Sequence, residues 1–553
     1  MFSALLWGLA GSAAIAAPLS DTIADELSRI DTVLSEQDER PHWMAVGVVD
    51  NTQWYIEGSN GATTTPHRRH FRSADIDIRV GTPTLDNTHK IRDAGWFDVD
   101  EKFAFSLPLD DNDEAAIRLA VWRAADGAYR AARKRLIRVR TNQVVKVTRE
   151  DESADFSSAP IAILQQEIPP LELDEDKWQS SIRRASARLA TLRHVEDSHL
   201  AVSAERVVRT IITTEGTRLS IAQLKYRLSI WARTTAEDGM NLAVSEGFDA
   251  HTVGGLPDET TLHQAVDDVA KKLLALRQAP VVDPTTAPAI LEGRAAAVFF
   301  HEVLGHRVEG HRQKDEDEGQ TFTDKVGEPV LPTFISVHDD PTISRFNNTD
   351  LNGYYTHDDE GVLAQRVDIV ENGVLLNFLT SRSPIEGFPT SNGHGRRQLG
   401  HAVVARQGNL IVSAQRTVSR TRLRSQLLQE IRRHDSDHGF IFKDITGGFT
   451  FTGRVTPNAF AVQPVTVYRV WADGRPDELV RGVDLIGTPL TTFQQIIAAA
   501  DTQEVFNGTC GAESGWVPVS AIAPALLIRE VEVQRSEKAN DRPPLLGAPV
   551  VNP

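Results

Sequence analysis

Arg294-Ala-Ala-Ala-Val-Phe-Phe-His-Glu-Val-Leu-Gly-His306 is the stretch on which the reading of this chain turns. Its first half is apolar on every side and reads as a buried helix. Two imidazoles and a carboxylate follow: His301, Glu302 and His306. Such a set can hold a zinc ion and a general base together. A single cysteine, Cys510, stands far downstream in Asn507-Gly-Thr-Cys-Gly511. Two nitrogens and one thiolate make three protein ligands and leave one position for water, the open coordination of a catalytic site.

The HExxxH spacing carries a geometric condition. Five residues at about 100° each put His306 roughly 140° round an ideal helix from His301. The two side chains share a metal only if the helix widens, as in a π-bulge, or ends. Gly305 permits such a distortion. Otherwise the motif is a core helix with polar residues that must find other partners. Cys510 also has two readings: a small buried hydrophobe, or a ligand on a loop suggested by Gly508, Thr509 and Gly511. His311 repeats the spacing five residues beyond His306, so it is a rival third ligand or a solvent-facing residue.

The chain has 553 residues, 41% hydrophobic and 24% charged, which fits an ordinary globular protein of two or three domains. A formal net charge of −17 argues against general nucleic-acid binding and against anionic membrane surfaces. The basic run Arg130 to Arg140 reads as the solvated face of a helix. Met1 to Ala17 resembles a signal peptide: too short to span a bilayer, ending in small residues, but without Lys or Arg at its start. It implies export, with the periplasm as the expected compartment and the cytoplasm as the alternative. No other segment reads as a membrane span.

The fold expected is α+β, with an N-terminal α/β-type domain over 18–282 and a mainly antiparallel β domain over 283–536. The leader occupies 1–17, and 537–553 reads as a disordered tail. Ala279 to Pro288, with three prolines, marks the boundary. Helices are expected over Leu19–Gln37, Asp113–Arg138, Lys177–Leu192 and Asp258–Arg277. Trp43–Asp50 and Gln53–Glu57 read as a hairpin turning at Asp50-Asn51. His70 to Val80 alternates as a half-buried strand does. Asn372-Gly373 and Asp473-Gly474 signal hairpin turns beyond the boundary. Asp315 to Glu318 reads as a solvated acidic loop. The His-Asp-Asp runs at 338–340 and 357–359 read as turn-closing residues.

An ordered set of pieces resembles the TldD/PmbA metallopeptidases. It comprises His301-Glu-Val-Leu-Gly-His306 with Glu309-Gly310, Asp358-Asp-Glu-Gly361, Glu371-Asn-Gly373, Thr390-Ser-Asn-Gly-His-Gly-Arg-Arg397, Gly447-Gly448, Gly482-Val-Asp-Leu-Ile-Gly487 and Gly508-Thr-Cys-Gly511. Together they cover most of 285–535, and the N-terminal half matches only loosely. The resemblance implies one Zn²⁺ held by His301, His306 and Cys510, with Glu302 as the catalytic base. It places the chain with the metal-retaining, TldD-like branch. It implies hydrolysis of unstructured peptides gripped as an added strand, in a homodimer or a heterodimer with a PmbA-like sister subunit. Arg396, Arg397, Gly447 and Gly448 become candidate substrate contacts. The alternative is a metal-free subunit that binds peptides without cutting them.

Overall fold

Two sheets carry the chain. The computed structural model describes residues 19–91, 104–144, 151–314, 321–450 and 460–536, with the single positions 102 and 546. The leader, most of the expected tail and the acidic run at 315–318 lie outside the described residues.

The first sheet has as its long strands, in order, β2 (His67–Thr82), β1 (Pro41–Ser59), β3 (Asp197–Thr213), β4 (Arg218–Thr235) and β5 (Asn241–Ala250), each antiparallel to the next; the short strand Ile163–Gln165 pairs parallel with the start of β4. This half is therefore α+β, not a parallel α/β unit. Alternation sends Met44, Val46, Val48, Ile56, Ile76 and Ile78 to one face. Helices α1 (Leu19–Leu34) and α2 (Glu114–Val144) cover one end of that face, through Ile23, Leu27, Ile117 and Val121. Helices α3 (Glu175–Ala190) and α4 (Glu259–Gln278) cover the other end, through Trp178, Ile182, Val266 and Leu273. Asp174 and Asp258 cap α3 and α4 by accepting from Lys177 N and Thr261 N.

The expected hairpin at Asp50-Asn51 is not formed. Strand β1 runs straight through it, with Asn51 paired to Phe71 on one side and Val207 on the other. Asp50 accepts from His70 and Arg72, so its side chain serves the sheet rather than a turn. From Ala74 to Val80 strand β2 is buried on both faces. Asp75, Asp77 and Arg79, opposite the apolar set, are nearly inaccessible. Asp75 pairs with Arg397 from the second half of the chain.

The second sheet is built from β6 (Thr285–Leu291), β7 (Ile335–Asp339), β8 (Val367–Glu371), β9 (Asn409–Ala414), β10 (His438–Thr450), β11 (Phe460–Trp471), β12 (Val483–Gly487), β13 (Ile496–Ala512) and β14 (Gly515–Arg535). Pairing is mainly antiparallel; β6–β10 and β9–β14 are parallel. The order β6-β10-β11-β12-β14 closes on itself, because β6 also pairs with β14. Asn372 and Gly373 both have positive φ, as the expected tight turn requires. Helix α5 (Gly293–Val303) is buried from Ala295 to Val303, and Phe299 meets Phe460 and Phe493 edge-on. Helix α6 (Arg420–Arg433) lies on a separate core with Ile290, Ile441 and Leu527. No helix among the described residues is long and apolar enough to cross a membrane.

Candidate metal centre

The spacing condition set by HExxxH is met by ending the helix. Helix α5 stops at Val303, and Gly305–Val308 continue as a tighter 3₁₀ turn. Ending a buried helix leaves carbonyls without partners. Here the chain supplies them. Gln407 Nε2 donates to His301 O at 3.3 Å, and Arg307 folds back to donate to Glu302 O at 3.2 Å and Val303 O at 3.1 Å. Gly305 is required by space: a Cβ there would lie 1.9 Å from Gln407 Oε1. The turn brings the His301 and His306 rings to 5.0 Å between centroids.

Cys510 arrives from β13, opposite Val517 of β14, so it sits on a strand and not on the expected loop. Its flanking glycines make room instead. A Cβ at Gly508 would lie 2.7 Å from the Phe506 ring, and one at Gly511 would lie 2.8 Å from Trp516. Cys510 Sγ is 3.3 Å from His306 Nε2. One donor atom from each of His301, His306 and Cys510 lies within 4.8 Å of the others, and all three residues are buried. Around a tetrahedral Zn²⁺, nitrogen and sulfur ligands stand about 3.5 Å apart. Among the described residues, buried His301 Nδ1 finds no hydrogen-bond partner. Donor chemistry, spacing and this orphaned nitrogen all fit a metal ion.

The charges follow the geometry. Burial alone would raise the Cys510 thiol, but the two imidazoles overcome it and bring it down to about 4. Burial opposes the charged form of both imidazoles, yet both are raised, His301 by Cys510 and His306 by Glu309 and Cys510. Glu302 is buried, with Oε2 3.8 Å from His306 Nε2.

Behind the donors stands a set of residues that local sequence reasoning did not assign. Glu309, wholly inaccessible, faces His306 Nδ1 at 3.1 Å. A carboxylate behind a ligating imidazole fixes its orientation and its tautomer. Arg406, equally buried, stands 3.3 Å from Glu309 and donates to Cys510 O at 3.0 Å and Ser514 Oγ at 2.8 Å. Arg312 bridges Glu309 and Glu513. The only local signal was Glu309, three residues after His306; Arg406 and Gln407 lie in a stretch that carries none.

The remaining candidates divide. His311 is paired with Glu513 and stands outside the donor group. Arg397 is committed to Asp75 and to His401 O, which argues against the expected substrate contact. Arg396 is buried over the Tyr355 ring and donates to Gln407 O at 2.6 Å. Gly447 and Gly448 lie within β10, paired with Gln463 and Val462, and among the described residues nothing lies within 4 Å of a Cβ placed on Gly447. Asp339 accepts from the Gly408 and Asn409 amides, and Asp358 from those of Glu360, Val362 and Gly395. Asp358 thus closes its own loop, whereas Asp339, at the end of β7, holds the distant Gly408-Asn409 backbone.

Residues 284–535 match the PmbA/TldA metallopeptidase C-terminal domain. The C-terminal half of the chain is thus similar to the C-terminal domain of the TldD/PmbA metallopeptidases. A metalloprotease of Methanothermobacter thermautotrophicus is 25% identical over 353 residues, covering 61% of this chain and 72% of that protein. A metalloprotease TldD homologue of Haemophilus influenzae is 30% identical over 339 residues, covering 58% of this chain and 64% of its own length. Among solved structures, TldE from Thermococcus kodakarensis superposes with a TM-score of 0.60 at 15% identity, covering 93% of this chain and all of that one. That likeness establishes a TldD/PmbA-type α+β fold across both halves. The names of the sequence relatives support a metallopeptidase-family role.

Proposed function

We propose that this chain is a zinc-dependent peptidase that hydrolyses peptide bonds in unstructured peptides. The observation that carries the reading is the convergence of His301, His306 and Cys510 beside the buried carboxylate of Glu302. One Zn²⁺ held by those three residues would supply Lewis acidity, acidifying water and polarising the scissile carbonyl. Glu302 takes the proton of the attacking water and passes it to the departing amine. Glu309 keeps the His306 ring turned with Nε2 toward the donor group. Gln407 and Arg307 hold the helix end that presents His301 and Glu302. Dimerisation, with a second copy or a PmbA-like sister subunit, and export directed by Met1–Ala17 belong to the same proposal.

Glu302→Gln and Cys510→Ser test it together. Glu302→Gln keeps stoichiometric zinc and loses peptide cleavage by at least about a hundredfold. Cys510→Ser loses zinc, read by metal analysis of the dialysed protein. Full cleavage by Glu302→Gln, or full zinc retention by Cys510→Ser, overturns the assignment.

A further inference from the structure

The helix-free face of the first sheet meets the loops at 354–397, and cations gather along that seam. Arg209 on β3 pairs with Asp359 and donates to His357 O at 3.1 Å. Gln223 on β4 donates to Tyr354 O at 3.0 Å. Lys225 lies two residues further along β4, hence on the same face. Across the seam, Arg396 stacks on Tyr355, next in sequence to the residue Gln223 holds. Arg396 also donates to Gln407 O, and Gln407 caps the His301 carbonyl. One residue therefore links Arg396 to the turn that carries the metal donors.

The carboxylates nearby are engaged. Asp359 takes Arg209, Asp249 takes Arg227 at 2.8 Å, and Glu205, directly opposite Lys225, accepts from Gln53 at 2.6 Å. Among the described residues, no carboxylate is within ion-pair reach of Lys225 or Arg396. Burial, with the positive charges of Arg209 and Arg396, outweighs Glu205 and lowers the Lys225 ammonium to about 8. Like charges gathered in a partly buried seam favour the arrival of an anion.

We propose that Arg396 and Lys225 form a subsite for a carboxylate of the peptide substrate, either its C-terminus or an acidic side chain. The proposal rests on the peptidase reading and adds a substrate class to it. A guanidinium fork and an ammonium together match a carboxylate's two oxygens. Anchoring there sets the register of the peptide relative to Glu302.

The test uses one short unstructured peptide of alanine, glycine and leucine, fluorescently labelled at its N-terminus. It is made with a free C-terminal carboxylate, as the C-terminal amide, and as the amide with one internal glutamate. Binding to the full chain is measured by anisotropy, with and without zinc, and cleavage of the same peptides is followed separately. The wild type binds the free acid about tenfold or more tighter than the plain amide, or the glutamate peptide likewise. Which of the two gains identifies the source of the carboxylate. Lys225→Gln brings the ratio toward one, and Lys225→Arg restores it. Equal binding of all three peptides by the wild type, a comparison that needs no variant, overturns the subsite. So does an undiminished preference in Lys225→Gln. A preference in binding without any cleavage would sink the peptidase reading and leave the subsite standing; cleavage without preference does the reverse.

Discussion

Replacing Glu309 by Gln keeps the shape of the side chain and removes its charge. The wild-type carboxylate faces His306 Nδ1 at 3.1 Å, Arg312 NH2 at 3.1 Å and Arg406 Nε at 3.3 Å, with no access to water. Two consequences can be sized. A carboxylate behind a ligating imidazole is worth about 10- to 100-fold in metal affinity, or about 1.4–2.8 kcal/mol. Breaking a buried ion pair from one side costs about 3–5 kcal/mol. The lower end applies here, because Arg312 keeps Glu513, and Arg406 keeps Cys510 O, Ser514 Oγ and Gly515 O. For a domain of this size about 3 kcal/mol lowers the melting temperature by roughly 6–12 °C. Competition against a chromogenic chelator measures the first quantity. Calorimetry of the chelator-treated protein measures the second without any contribution from bound metal. Wild-type zinc affinity in Glu309→Gln, with an unchanged melting temperature, would refute the role given to this carboxylate.

Zinc affinity rises with pH. In the metal-free chain the two imidazoles bring the Cys510 thiol down to about 4, while the thiolate, with Glu309 beside His306, raises both imidazoles above the ordinary histidine value, so protons compete with the metal for the two nitrogens as pH falls. Ligation displaces those protons, giving up to about a hundredfold in affinity per pH unit below the imidazole values and a plateau above them. Calorimetric titrations in buffers of different ionisation enthalpy count the released protons; a flat affinity across the neutral range would exclude the imidazoles as ligands. Gly305→Ala drives a methyl into Gln407 Oε1 and expels that side chain from His301 O, at about 1–3 kcal/mol from the uncapped carbonyl plus the cost of overpacking. Its melting temperature and zinc affinity both fall, and adding Gln407→Ala relieves the clash and recovers part of the loss; a neutral Gly305→Ala would show that the helix end is not fixed by this contact.

What could be read from residues alone was the local chemistry. HExxxH demanded an interrupted helix, and Cys510 was the one thiol on offer. The apolar run Ala295–Phe300 announced a helix with no solvated side, and alternation in His70–Val80 announced β2. What escaped was set by distant partners. The helix end depends on Gln407, 106 positions from His301 in the chain, and no local pattern encodes that approach. Asp50-Asn51 has the composition of a turn, yet ladders on both sides of β1 hold it extended. Cross-strand pairing along two flanks outweighs a dipeptide's preference. Gly508 and Gly511 suggested a loop because glycine serves turns. Here it serves the close approach of Phe506 and Trp516 to a strand, a use that looks the same in sequence.

Arg406 joins the Cys510 backbone to the carboxylate that orients His306, although the two donors are 204 positions apart. A nascent chain therefore has no finished metal pocket until the β13–β14 hairpin has left the ribosome and docked. On the proposed ligand set, metal capture would be a late event in the life of the molecule, and a chain truncated before that hairpin would leave the two histidines without their sulfur.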